Sequence, residues 1–200
     1  MSSLIEALAG QVLNPQITRQ LGQAVGADEQ ATRTAAAAAL PMILGALAKN
    51  AGRPEGASSL LAALDRDHDG NVMDDLAGFL GQGRTDDGEK ILGHALGAHR
   101  APVETAVGQA AGLDPQQITK LMAMLAPVVM GALGKAKRER QLDTGGLSDM
   151  LRGEEKVMRQ KAPEMGLMGS LLDKDGDGSI VDDVVGRIGK GVLGSLFKRP

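Results

Sequence analysis

Two stretches, LDRDHDGNVMDD (64 to 75) and LDKDGDGSIVDD (172 to 183), gather aspartates at a spacing suited to a hard divalent cation. Each has acids at its first, third and fifth loop positions: Asp65, Asp67 and Asp69 in one, Asp173, Asp175 and Asp177 in the other. Gly70 and Gly178 follow at the sixth position, Asn71 and Ser179 at the seventh, and Val72 and Ile180 at the eighth. An EF-hand calcium loop uses carboxylates at 1, 3 and 5, a glycine at 6 for the sharp turn, a backbone carbonyl at 7 and a bidentate acid at 12. Here position 12 is Leu76 or Val184, and the closing acids stand at 10 and 11 as Asp74, Asp75, Asp182 and Asp183. The loop is therefore shortened. Asn71 and Ser179 are expected to be N-caps of an exit helix that begins early, which puts Asp74 and Asp182 at its third residue. Spacing leaves open which acid of each pair closes the shell. An apolar residue at position 8 also suits pairing between two such loops.

So many like charges in one turn repel and raise one another's pKa unless a cation compensates them. Calcium accepts six to eight oxygens in flexible geometry, whereas magnesium demands stricter octahedral geometry. Up to two Ca²⁺ ions are the expectation, with the twelve residues at positions 1, 3, 5, 7, 10 and 11 of the two loops as ligand candidates. With no cysteine, and with His68 expected to point to solvent, zinc is disfavoured. A plainer reading makes these DG turns between helices, with acids favouring a helix N-terminus. That accounts for Asp74, Asp75, Asp182, Asp183 and the glycines, but not for alternating acids at 1, 3 and 5 twice over.

The elements that position these loops repeat as well. GQAVGAD (22 to 28) matches GQAAGLD (108 to 114), and Pro41, Gly45, Leu47 and Lys49 match Pro127, Gly131, Leu133 and Lys135 at the same offset. The aspartate segments match at a larger offset, so the second copy carries an insertion between Lys135 and Leu172. The chain divides into a helical repeat over 1–85 with its loop at 65–75, and a second over 86–200 with an insertion about 136–165 and a loop at 173–183. The two repeats could also form one compact domain.

Asp28 and Asp114 are N-cap candidates, the second reinforced by Pro115 and Gln117. Beyond it Ile118, Leu121, Met122, Leu125, Val129 and Leu133 mark one buried helical face. Pro41 and Pro127 are expected to kink these helices or split them in two. Shorter helices are expected at about 3–12, 15–25, 57–64, 75–81, 87–98, 102–111, 145–152, 165–172 and 183–197. No segment alternates like a strand. The fold class is all-α: a duplicated helical repeat with two EF-hand-like Asp-rich loops.

Composition agrees. The 200 residues are 42% hydrophobic and 24% charged, with Phe79 and Phe197 the only aromatics, so a core must be built from small aliphatic side chains on helices. The formal charge of −3 is unevenly placed: each aspartate loop sets five acids against one base, and the rest of the chain is net basic. Without cysteine there is no disulfide, thiolate metal site or cysteine nucleophile. The N-terminal residues lack the features of a secretory signal, and a cytoplasmic location is expected. The apolar runs 35 to 48 and 121 to 134 fall short of a membrane span and read as buried core helices.

Taken together, LPMILGALAKNA, LLAALDRDHDGNVMDDLAGFLGQG, ILGHALGAHR, LAPVVMGALGK and LLDKDGDGSIVDDVVGRIGK resemble the bacterial family known as domain of unknown function 937 (DUF937), over nearly the whole chain. The resemblance implies a bacterial source and a duplicated helical fold, and it transfers no catalytic residue.

Other constellations carry less. His94 and His99, five apart, do not share a helix face and read as surface or boundary residues. No GxSxG, P-loop or HExxH motif occurs, and a closed carboxylate shell is a poor Lewis acid site, so no enzyme is expected. KAKRER (135 to 140) reads as a solvated helix end, and no nucleic-acid partner is expected. Met122, Met124 and Met130 suit core filling, or an adaptable surface opened by calcium. The expectation is a non-enzymatic calcium-binding protein. The alternative is a structural or interaction protein that self-associates, binds a protein partner, or touches a membrane surface through the amphipathic C-terminal VGRIGKGVLGSLFKRP, with metal incidental.

Overall fold

A computed structural model describes residues 3–161, and among these every regular element is helical. The second aspartate loop, the helices expected at 165–172 and 183–197, and Phe197 lie outside the described residues. The order is α1 (Leu4–Val12), α2 (Pro15–Val25), α3 (Glu29–Ala51), α4 (Pro54–Arg66), a 3-10 turn (Asn71–Met73), α5 (Leu76–Gly81), α6 (Asp86–Leu96), a second 3-10 turn (Gly97–His99), α7 (Arg100–Ala111), α8 (Pro115–Arg140) and α9 (Thr144–Lys161).

Local signals set most boundaries. Ser3 and Glu6 close a capping box on α1, and Asn14 caps α2 ahead of Pro15. Asp28 caps α3 through the Ala31 N–H, and Asp114 caps α8 through the N–H groups of Gln116 and Gln117. Gly26 and Gly112 end α2 and α7 in the left-handed conformation, at φ 74° and 70°, which glycine reaches without Cβ strain.

The two long helices form the centre. α3 has 23 residues and α8 has 26, and both run unbroken through Pro41 and Pro127 rather than splitting there. By length and composition both are long and apolar enough to cross a membrane, so the expected shortfall does not hold. Burial distinguishes them instead: 72% and 83% of their apolar windows are enclosed by the other helices. Ala35, Ala36, Ala38 and Ala39 of α3 are buried, and so are Met122, Met124 and Met130 of α8. Helices from both sides of residue 86 contribute to one core cluster.

Close backbone approach replaces aromatic bulk. Pro127 has no N–H to offer the Ala123 carbonyl one turn back, and α6 passes over that carbonyl. A Cβ on Gly88 would overlap the Ala123 oxygen, so glycine is what lets α6 lie this low on α8. Side chains then close helix ends across the fold. Gln117 and Lys120 of α8 donate to the Gly26 and Ala24 carbonyls at the end of α2, at 2.6 Å each. Asn50 of α3 donates to the His94 and Ala95 carbonyls of α6, both at 3.1 Å. His94 itself is exposed, and His99 lies at the boundary.

Candidate functional site

α4 delivers the first aspartate loop. Pro54 opens the helix, while Ala57, Leu60 and Leu64 bury its inner face, leaving Asp65 exposed in the last turn. Asp67 is the C-cap. Gly70 then turns the chain at φ 100°, the left-handed region that only glycine enters readily. The exit differs from expectation. Asn71 opens a 3-10 turn rather than capping a helix, and α5 starts at Leu76 with Asp75 as N-cap, its Oδ1 accepting the Gly78 N–H at 2.8 Å.

The reason lies on α8. Gly131 and Gly134 leave a shallow notch on that helix, and the loop is seated in it. A Cβ on Gly134 would overlap the His68 carbonyl oxygen, one on Gly131 would overlap the Val72 side chain, and one on Gly70 would come within 2.8 Å of the Lys135 backbone. Val72 is thus turned onto α8. His68 is also turned inward, its side chain only 10% exposed and its Nε2 3.7 Å from Asp87 Oδ2 of α6, so the solvent orientation expected for it is corrected. The backbone seat on Gly134 sets that direction.

The five acids remain on the exposed side, and each has its own partner. Asp65 Oδ1 is paired with Lys137 Nζ, and Asp74 Oδ1 stands 3.4 Å from Lys135 Nζ, both lysines coming from α8. Arg66 holds Asp67 at 2.7 Å. Asp69 accepts the Asn71 N–H at 3.1 Å and its side-chain amide at 2.6 Å. Asp75 is spent on its cap. In this arrangement no three acidic or histidine side chains converge among the described residues. The donor types suit calcium; their present directions do not, since two of them are aimed at ammonium groups.

Asp173, Asp175, Asp177, Ser179, Asp182 and Asp183 lie outside the described residues. Beside the first loop, a cleft of about 410 Å³ opens between α4 and the end of α8, with Asp65 and Asp69 on one wall and Lys137, Arg138 and Gln141 on the other. KAKRER is therefore not simply a solvated helix end. Two of its lysines are the counter-charges of the aspartate loop. The opposed charge of the two segments, and the two glycines three residues apart just before the basic run, were the available signals.

The fold and the site define an all-helical protein whose acidic turn is docked on a central helix and balanced by that helix's lysines. Residues 6–136 match the family described as bacterial protein of unknown function (DUF937). The chain belongs to that family. The matched span takes in the first aspartate loop and its seat on α8, and ends before α9 and the second loop. No curated protein and no solved structure matches the chain.

Proposed function

We propose that this is a non-enzymatic bacterial calcium-binding protein, with Ca²⁺ held in shortened EF-hand-like loops of a duplicated helical fold. The observation that carries the reading is the placement of Asp65, Asp67 and Asp69 at positions 1, 3 and 5 on the exposed side, immediately before a left-handed Gly70 at position 6. Asp65, Asp67 and Asp69, the Asn71 carbonyl, and Asp74 or Asp75 would hold the ion, and Asp173, Asp175, Asp177, Ser179 and Asp182 or Asp183 would hold a second. The ion would compensate the charge of the turn and fix the angle between its flanking helices. Matching caps at Gly26 and Gly112, and at Asp28 and Asp114, support the duplication.

The lysine pairs do not stand in the way energetically. Asp65 is 56% exposed and Asp74 62%, and ion pairs this exposed contribute roughly 0–1 kcal/mol. Even a millimolar calcium site corresponds to about 4 kcal/mol of binding. Calcium would displace Lys137 from Asp65 at little cost. Calorimetric titration of the full chain with CaCl₂ tests the reading: saturable binding by the wild type and loss in Asp65→Ala with Asp173→Ala supports it. Absence of binding, with a melting temperature unmoved by EDTA, rejects it.

A second reading rests on the same pairs. With Lys135 and Lys137 already neutralising Asp74 and Asp65, the loop would be a structural clamp between α4 and α8 in an interaction protein, with metal incidental. Self-association, a protein partner or a membrane surface would then be its business. Sedimentation as a monomer together with no binding to liposomes would remove the self-associating and membrane-binding forms of it.

A further inference from the structure

Glu154, midway along α9, is 7% exposed and is the one charged side chain buried among the described residues. Among the described residues, its carboxylate meets no lysine or arginine. Oε1 accepts the Leu4 N–H at 2.7 Å and Oε2 accepts the Ile5 N–H at 3.0 Å. These are the first two amides of α1, left without partners by helix geometry, and the positive end of the helix dipole favours an anion there. The capping box serves other groups: Ser3 Oγ accepts from Glu6, and the Glu6 carboxylate accepts from Ser3. Local sequence and a distant carboxylate therefore divide the end of α1 between them.

Both sides of this contact lie outside the family span of 6–136, Leu4 and Ile5 just before it and Glu154 well after it. It joins the two flanks of the family core. The rest of α9 is laid on α3 and α4, with Leu147, Leu151 and Met158 buried and the Ser148 hydroxyl donating to the Ala51 carbonyl at the end of α3. α1, only nine residues long, covers α3 and α8 with Leu4, Leu8 and Val12. A helix this short does not stand alone in water, so its order depends on what holds it down.

We propose that α9 is a strap whose Glu154 fastens α1 over the family core, and that α1 is released as a local unit, uncovering the apolar surface beneath it, whenever that carboxylate is withdrawn. The release does not require α3 and α8 to open, because their contacts with each other involve neither partner of the clasp. Burying a carboxylate against two backbone amides is stabilising only while both bonds are made, and a half-made clasp still shut off from water is unfavourable, so the carboxylate and the end of α1 part together and the carboxylate returns to water.

Amide hydrogen exchange on the full-length protein tests this, comparing wild type with Glu154→Ala, Glu154→Gln and, as a neighbouring control, Glu155→Ala. Exchange at Leu4, Ile5 and the following α1 amides is expected to rise roughly 10- to 100-fold in Glu154→Ala. Glu154→Gln, which keeps one oxygen acceptor, should fall between, and Glu155→Ala should leave α1 unchanged. The central turns of α8 should keep their protection in all three. Unchanged exchange in α1 would show that its apolar face alone holds it; equal acceleration in α3 and α8 would show that no separable unit exists. Either result overturns the proposal, and if Glu154→Ala fails to fold, the glutamine variant decides by the same comparison.

Discussion

Adding one methyl group at position 134 tests how the aspartate loop is held. In Gly134→Ala the new Cβ would overlap the His68 carbonyl oxygen, and would stand 2.9 Å from that residue's carbonyl carbon and 3.2 Å from that of Asp69, where ordinary contact begins at 3.4 Å. These are backbone atoms, so no side-chain rotation relieves the overlap. The loop must retreat by about half an ångström from the carbonyl carbon and further from the oxygen, losing the fit of Val72 on Gly131 and of Gly70 on Lys135. Overpacking of this kind costs about 1–3 kcal/mol, and an overlap with backbone rather than a movable side chain belongs in the upper part of that range, about 2–3 kcal/mol. Alanine recovers up to about 1 kcal/mol of helix propensity. The net loss is therefore about 1–2 kcal/mol, or roughly 2–8 °C of melting temperature in a chain of this size. Gly153→Ala in α9 is the matched control: that glycine is exposed with nothing within 4 Å, so only the propensity gain of up to about 1 kcal/mol remains. Thermal melts followed by circular dichroism should move in opposite directions. A Gly134→Ala protein that melts with or above the wild type would refute the docked-loop account.

Gly88→Ala should cost more than Gly134→Ala, about 3 kcal/mol or beyond, because the overlap with the Ala123 carbonyl falls between two core helices; denaturant titration would show it as a lower midpoint. Asn50→Ala removes two bonds to the end of α6, and is expected to lose about 1–2 kcal/mol in the same titration. Lys137→Ala should change stability by less than about 1 kcal/mol, since its partner is more than half exposed, yet it should tighten calcium binding several-fold by removing the competing ammonium. Equal affinities in a calorimetric comparison would mean that Lys137 does not compete. Raising the salt from 0.05 to about 0.5 M should leave the melting temperature nearly unmoved, because the described surface pairs are weak and screened at that ionic strength.

Much of the helical layout was legible because it rests on short-range chemistry. Asp28 and the Asp114, Pro115, Gln117 trio announce helix starts through contacts with residues only a few positions away, and the folded protein shows Asn14, Gly26 and Gly112 closing helix ends by the same short-range chemistry. The aspartate spacing was equally visible, as was the turn at Gly70, since only glycine takes that φ cheaply. The helix boundary after the loop was not: Asn71 and Asp75 are both good caps, and the seat of Val72 on Gly131 selects the second. Nor was the length of α3 and α8, because the cost of a proline inside a helix depends on what packs around the freed carbonyl.

From the order of its residues alone, this protein is a helical chain with acidic turns, small side chains for a core, and caps that mark where most helices start. Only the folded arrangement decides what balances those acids and what holds α1. Lys137 is 72 positions from Asp65 and Glu154 is 150 from Leu4. Charge and hydrogen-bonding capacity are written residue by residue, whereas the pairing of one group with another over such separations depends on backbones that approach closely at glycines, and that approach exists only once the helices have packed.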